Sequence, residues 1–416
     1  MNIATSTKGR AYYVLTLLCV LYLFDYADRM VMSSLLPLIK ADWNVSDADL
    51  GLLTGIVSLF VAIFVLPMSV LVDRWSRKKM IAIMTSFWSI ATLACAFAGN
   101  YHQLLGYRAL TGLGEAAYAP AAVAMISKIF PRNYRAYYTG IFDAFAPLGA
   151  GIGFAVGGYV GLTYGWRHAF GMVAAPGLVI ALLFLFVRDY STLPLNEEKK
   201  DDTHSATLRV TLQSIGNLLK IKTLWFVYIA YALNIAVNTS IMVWSPTYMV
   251  RIFGFDEKTA GTISGGIALM VLIGAPIGGI IADKWNKKNK SARLYVSAIS
   301  SFLGALFLLL AISFQDTMLS LAMLGLFGVS TVIYLAPATA VIQDVVQPGM
   351  RAIAYGFNVV FMNTLGAFLT PVIIGKLSDS FGLRQAFFLL PVLGSIAVVL
   401  FLASRKQYLS DLVSNK

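Results

Sequence analysis

The chain has 416 residues, 58% hydrophobic and only 12% charged, where a soluble domain runs near 25% charged. A formal charge of +12 raises nucleic acid as a partner, but most of the 32 Lys and Arg fall in the two termini and in alternate loops (73–79, 128–135, 188–222, 284–293 and 351). That asymmetry is the positive-inside pattern of a polytopic membrane protein; it argues against a nucleic-acid partner and places both termini in the cytoplasm, with a bacterial inner membrane as the expected location.

Apolar runs of membrane-spanning length recur along the chain. They predict twelve helices, at about 11–39, 48–72, 79–99, 103–127, 136–161, 166–187, 222–250, 259–282, 292–313, 317–341, 352–376 and 384–404. The first run is too long for a signal-peptide core and lacks a small-residue cleavage site. Residues 188–221, which contain the charge run Asn196–Asp202, read as a cytoplasmic linker. It separates an N-terminal bundle, 1–187, from a C-terminal bundle, 222–416. The predicted class is all-α integral membrane, two pseudo-symmetric six-helix bundles.

The first helix carries Asp25, Asp28 and Arg29 at i, i+3 and i+4, on one face. Ionisable groups in a membrane helix cost roughly 2.5–3.5 kcal/mol apiece on insertion scales, and they mark ion pathways, proton relays or substrate contacts. Arg108 and Glu115, seven apart on the fourth helix, also share a face. If the two helices meet, three acids stand against two arginines, leaving one spare carboxylate for a proton. Asp28 is the leading proton site, followed by Glu115 and Asp25, with Arg29 and Arg108 as ion-pair partners or substrate-anion contacts. The bland reading is a static ion-pair network.

The halves repeat at offsets of roughly 210–217 residues. Asp73–Lys79 recurs as Asp283–Asn289, Tyr118-Ala-Pro120 as Leu335-Ala-Pro337, Arg135-Ala136 as Arg351-Ala352, and Arg167–Phe170 as Arg384–Phe387. Parallel repeats of this kind describe a transporter with its site between the halves. The second half has no comparable charges. It offers Asn234, Asn238 and Trp244 on the seventh helix and Asn358 on the eleventh. With Tyr26 and Tyr118 these are candidate cavity residues, against a bland reading as packing and interhelical hydrogen bonding. Glycines 149, 151, 153, 157 and 158, and 261, 265, 274 and 278, predict close helix contacts.

The stretch Ser69–Lys78 resembles the loop 2–3 signature of the major facilitator superfamily, with serine at both signature glycines. Gly279–Lys288 is its second copy, and Arg108, Gly112 and Gly114 resemble the helix 4 signature associated with proton coupling. The resemblance covers essentially the whole chain. Asp28-Arg29, Gly112–Pro120 and Gly140–Gly149 resemble the Spinster branch, whose members move lysolipids and sphingoid phosphates. The organic anion–cation symporter branch, which takes up sugar acids, shares the Asp-Arg pair, the helix 4 Glu and an element like Trp244–Tyr248. The resemblance implies a cytoplasmic gate at Asp73, Arg74, Arg77 and Asp283.

The expectation is a proton-coupled secondary transporter for an organic anion, a lysolipid-like amphiphile ahead of a small carboxylate such as a sugar acid. A non-transporting sensor or lipid scramblase is the remaining class. No enzyme motif or metal-ligand spacing stands out, and Cys19 and Cys95 form no disulfide framework. The implied partners are protons, an anionic substrate and the bilayer, with no cofactor beyond the proton gradient. The expected form is a monomer.

Overall fold

The computed structural model describes residues 3–74, 76–131, 134–187, 216, 218, 220–347 and 350–414. These fold into twelve long helices and a short terminal one. The first six are α1 (Ile3–Trp43), α2 (Asp47–Arg74), α3 (Arg77–Cys95), α4 (Tyr101–Ile129), α5 (Arg135–Tyr164) and α6 (Trp166–Phe184). The others are α7 (Lys222–Phe253), α8 (Glu257–Asn286), α9 (Ala292–Ser313), α10 (Thr317–Asp344), α11 (Ile353–Phe381), α12 (Leu383–Ala403) and α13 (Arg405–Ser414). Ten are long and apolar enough to cross a membrane. The other two long helices are α1, which holds the charged cluster, and α3, which opens on Arg77, Lys78 and Lys79.

Local chemistry sets the boundaries. Ser76, Asn100 and Asp316 cap α3, α4 and α10 by accepting a backbone N–H three residues on. Gly165 and Gly382, at φ 89° and 88°, close α5 and α11. Two residues beyond each stands a repeat arginine. Arg167 donates to Ala98 O at the end of α3, and Arg384 to Ile312 O and Phe314 O at the end of α9. The repeat therefore has a physical content: each arginine satisfies carbonyls that a helix terminus leaves unpaired.

The repeated prolines also act alike. Pro120 has no N–H for the carbonyl of residue 116, and α4 breaks at 116–117. Pro337 does the same in α10, which breaks over 331–334. Pro371 has a different outcome: the preceding stretch, Met362–Leu369, widens to π-helix, and Thr370 Oγ1 donates to Leu365 O.

Contacts gather the chain into two units. The first is Met1–Leu195 with Met242–Leu269; the second is Asn196–Ile241 with Met270–Lys416. Part of α7 and the start of α8 thus pack with the first half, although the sequence repeat places them in the second. The 188–221 linker lies largely outside the described residues.

Small residues make the seams of the first unit. A Cβ added at Gly149 or Gly153 in α5 would stand 2.1 Å from Leu23 O or 2.4 Å from Ala27 O of α1. Gly158 and Gly261 meet the backbones of Glu257 and Phe154 in the same way, joining α5 to α8. In the second unit, Gly274 and Gly278 of α8 lie against the carbonyls of Val329 and Ile333 in α10. The α13 helix is docked on this unit: Tyr408 donates to Asp344 at 2.8 Å, and Thr223 Oγ1 to Asp411 at 2.6 Å.

Candidate functional site

The charged residues of α1 and α4 meet inside the first unit. Arg108 Nη1 stands 3.0 Å from Asp28 Oδ2, with both side chains buried. Arg29 pairs with Glu115 at 2.5 Å and approaches Asp25 at 3.9 Å. Asp25 and Glu115 also face one another. The five groups form two crossed pairs with Asp25 as the third acid.

Helix geometry explains the meeting. The i, i+3, i+4 spacing puts the α1 residues on one face, and the seven-residue spacing does so for α4. The break after Glu115, caused by Pro120, ends the first segment of α4 at the cluster. Gly112 and Gly114 let α4 approach α2 and α3, since an added Cβ would stand 2.4 Å from Val57 O or 2.7 Å from Trp88 Cβ.

The pairs leave hydrogen-bonding capacity unused. Asp25 Oδ1, Asp28 Oδ1, Arg29 Nε and Arg108 Nε are buried and make no hydrogen bond among the described residues. Arg29 lies over the Tyr26 ring at 5.7 Å and is partly exposed. Arg29 and Tyr26 are the accessible edge of a buried ionic centre.

The candidate cavity residues divide. Tyr26 and Asn238 are half-buried. Tyr118 is enclosed, its hydroxyl donating to Leu18 O and its ring packed against Trp88 and Tyr22. Trp244 is fully buried within the segment that joins the first unit. Asn234 is buried, and its amide donates to Ala230 O of its own helix at 2.9 Å. In this structure Tyr118, Trp244 and Asn234 are buried. A repeating pattern cannot tell a face turned to a cavity from a face turned to a neighbouring helix.

Asn358 is fully buried with neither amide atom hydrogen-bonded among the described residues, as is the Tyr334 hydroxyl. It lies one turn after Ala354, whose carbonyl takes the Tyr228 hydroxyl, and two turns before Gly366, which meets Ala232 of α7. Asn358 is therefore on the α7-facing stripe of α11.

The side chains of Asp73 and Arg74 are not among those described, and Arg77 is half-buried. Asp283 is largely exposed and pairs at 3.5 Å with Arg293, which also binds Asp344. The structure thus ties Asp283 to α9 within its own unit.

Sequence reasoning missed a second ionic centre. Asp47, in the first turn of α2, is buried and held by Arg251 through two contacts of 2.6 and 2.8 Å. Lys40 joins it at 2.6 Å. The available signal was an acid at a helix N-terminus seven residues from a lysine.

Residues 18–371 match the family described as Major Facilitator Superfamily. The chain belongs to this superfamily. Among its relatives is Protein spinster homolog 1 of Xenopus laevis, 28% identical over 398 residues, covering 89% of this chain and 73% of that protein. The Hexuronate transporter of Bacillus subtilis (strain 168) is 26% identical over 405 residues, covering 92% and 93%. A solved bacterial homolog of the human lysosomal transporter Spinster, inward-facing and unoccupied, has a TM-score of 0.86 at 21% identity. That alignment covers 97% of this chain and 98% of that one. The superfamily and its transporter relatives exclude the enzyme class for this chain and agree with the all-α, two-bundle membrane architecture.

Proposed function

We propose that this major facilitator protein is a proton-coupled secondary transporter of an organic anion. The observation that carries the reading is the pair of crossed ion pairs, Asp28–Arg108 and Arg29–Glu115, with Asp25 beside them. Three carboxyls face two guanidiniums, so the centre has room for one proton. A proton on Asp28 removes its attraction to Arg108 and frees that cation for an anionic substrate group. Alternating access follows if the two arrangements suit two conformations of the helices.

The basic loops support cytoplasmic termini, with a bacterial inner membrane as the setting and a monomer as the working form. The Spinster resemblance supports a lysolipid-like amphiphile. A small sugar acid is the second reading, favoured by the near full-length match to the hexuronate transporter. The gate role of Asp73, Arg74, Arg77 and Asp283 rests on the same resemblance.

The test is transport in proteoliposomes, with lysolipids and sugar acids offered with and without an imposed pH gradient. Asp28→Asn is expected to lose gradient-driven accumulation and keep exchange of labelled for unlabelled substrate. Full gradient-driven accumulation in that variant overturns the assignment. Accumulation of sugar acids alone decides for the second reading.

A further inference from the structure

Asp143 is a carboxylate inside the membrane span Tyr137–Tyr164 of α5, and it is exposed. It stands eight residues from Arg135, about 12 Å along the helix from its basic end. Helix geometry turns it away from lipid. The exposed apolar residues Leu148, Ile152 and Tyr159 form one stripe. Asp143 precedes them by five, nine and sixteen residues, which puts it on the opposite side of the helix.

Its own stripe continues, seven and eleven residues on, through Ala150 and Phe154, both buried. Phe154 O accepts from Ser34 of α1 at 3.0 Å and lies against Gly261 of α8. The line between α1 and α8 is therefore closed at Phe154 and open at Asp143.

Across this opening stand Cys19, Tyr22 and Tyr26 of α1, each under the electrostatic influence of Asp143. Tyr22 stacks at 4.2 Å on Phe142, the residue before Asp143. The rings of Tyr22 and Tyr26 are 5.1 Å apart, edge to face. Asp25 acts on the same two tyrosines from the buried side, and its Oδ1 has no hydrogen-bond partner among the described residues.

We propose that Asp143 is the proton-exchange group of the buried cluster, passing protons to Asp25 over the hydroxyls of Tyr22 and Tyr26. The inference rests on the proton-coupled reading above. Asp143 takes a proton from a water-borne acid and leaves its conjugate base in solution. That proton moves to the Tyr22 oxygen as the Tyr22 proton moves to Tyr26 and the Tyr26 proton to Asp25. Both hydroxyls end neutral, Asp143 returns to its anion, and Asp25 holds the proton. The other charged or titratable groups facing this path are Asp28 and Arg29 on α1 and Arg108, Glu115 and Tyr118 on α4. On the first-unit part of α8, Glu257 and Lys258 stand at the far end of α5, beside Gly158 and Tyr159.

The test is a pH jump on the purified full chain in lipid nanodiscs, with carboxyl protonation followed by infrared absorption. In Asp143→Asn the buried carboxyls are expected to reach the same final protonation about a hundredfold more slowly, the low end for a lost proton-transfer group. Millimolar imidazole should restore the rate, and Asp143→Glu should stay near the parent. Equal rates in the parent and Asp143→Asn overturn the relay. A slowed variant that imidazole does not rescue marks a structural role and overturns it too. Failure of the parent's buried carboxyls to protonate between pH values of about 5 and 8 overturns the proton-coupled reading itself, and that result needs no variant.

Discussion

The seams α1–α5 and α7–α11 are counterparts in the repeat, and they are built differently. The α1–α5 seam is tight: Gly149, Gly153 and Gly157 bring α5 onto the α1 backbone. The adjoining face of α1 carries the ionic cluster. The α7–α11 seam has Gly366 at its close approach, a π-helical stretch, and a buried amide, Asn358, with no hydrogen bond among the described residues. One topology thus serves two chemistries. Charge is concentrated where backbone packing is closest, and neutral polar groups lie where the helix is widened. Buried ions demand fixed partners, whereas an unpaired amide costs less and leaves capacity for a ligand.

The largest expected effect breaks the ionic side. Arg108→Leu leaves Asp28 buried without its partner and should cost about 3–5 kcal/mol. Thermal unfolding in detergent would show it as a lowered midpoint. Adding Asp28→Leu should recover most of that loss, because the pair as a whole contributes little net stability. A double variant no more stable than Arg108→Leu would mean the cluster is held by more than its charges.

Next come the seams themselves. Gly153→Ala drives a methyl to 2.4 Å from Ala27 O, whereas Gly366→Ala meets Ala232 O at 2.8 Å beside the Ile235 side chain. The first should cost about 1–3 kcal/mol, and the second less, since a π-widened helix can shift. Equal losses would erase the distinction between a rigid and a yielding seam.

The amides are expected to matter for transport more than for folding. Asn358→Leu removes an unsatisfied buried group, so stability should change by less than about 1 kcal/mol, or rise. Transport should show a raised KM if the amide meets substrate. Asn238, half-buried on α7, is the mildest case: Asn238→Ala should move stability by less than about 0.5 kcal/mol.

Much of this asymmetry was legible in the residues. Helices α9 and α10 begin where apolar periodicity places them, and Asp28 meets Arg108 because spacing and depth left few other partners. The Ala-Pro pairs were legible as a repeat, whereas the helix breaks that go with their missing N–H were not: the apolar runs predict both helices as continuous. The unread parts depend on which helix lies next door. The burial of Tyr118 and Trp244 is set by neighbours that the sequence does not name. Asp47 and Arg251 are 204 residues apart, so nothing local points from one to the other, and only the Lys40 spacing hinted at the centre. The α13 helix is too polar for a hydropathy reading and is held by Tyr408 and Asp411. The Pro371 effect could have gone either way, to a break or to a widening.

The π stretch of α11 also has a genetic consequence. Bonds that span five residues hold one residue more than an α-helix of the same length needs. Removing any single residue from 362–369 would let α11 close as an ordinary α-helix of the same length, with everything after the deletion keeping its facing relative to Asn358. A one-codon deletion there is thus expected to be absorbed, the helix losing its widened turn and keeping its register. Transport equal to the parent's in the deletion variant would show that the extra residue is spare, and loss of transport that the widened turn itself is needed.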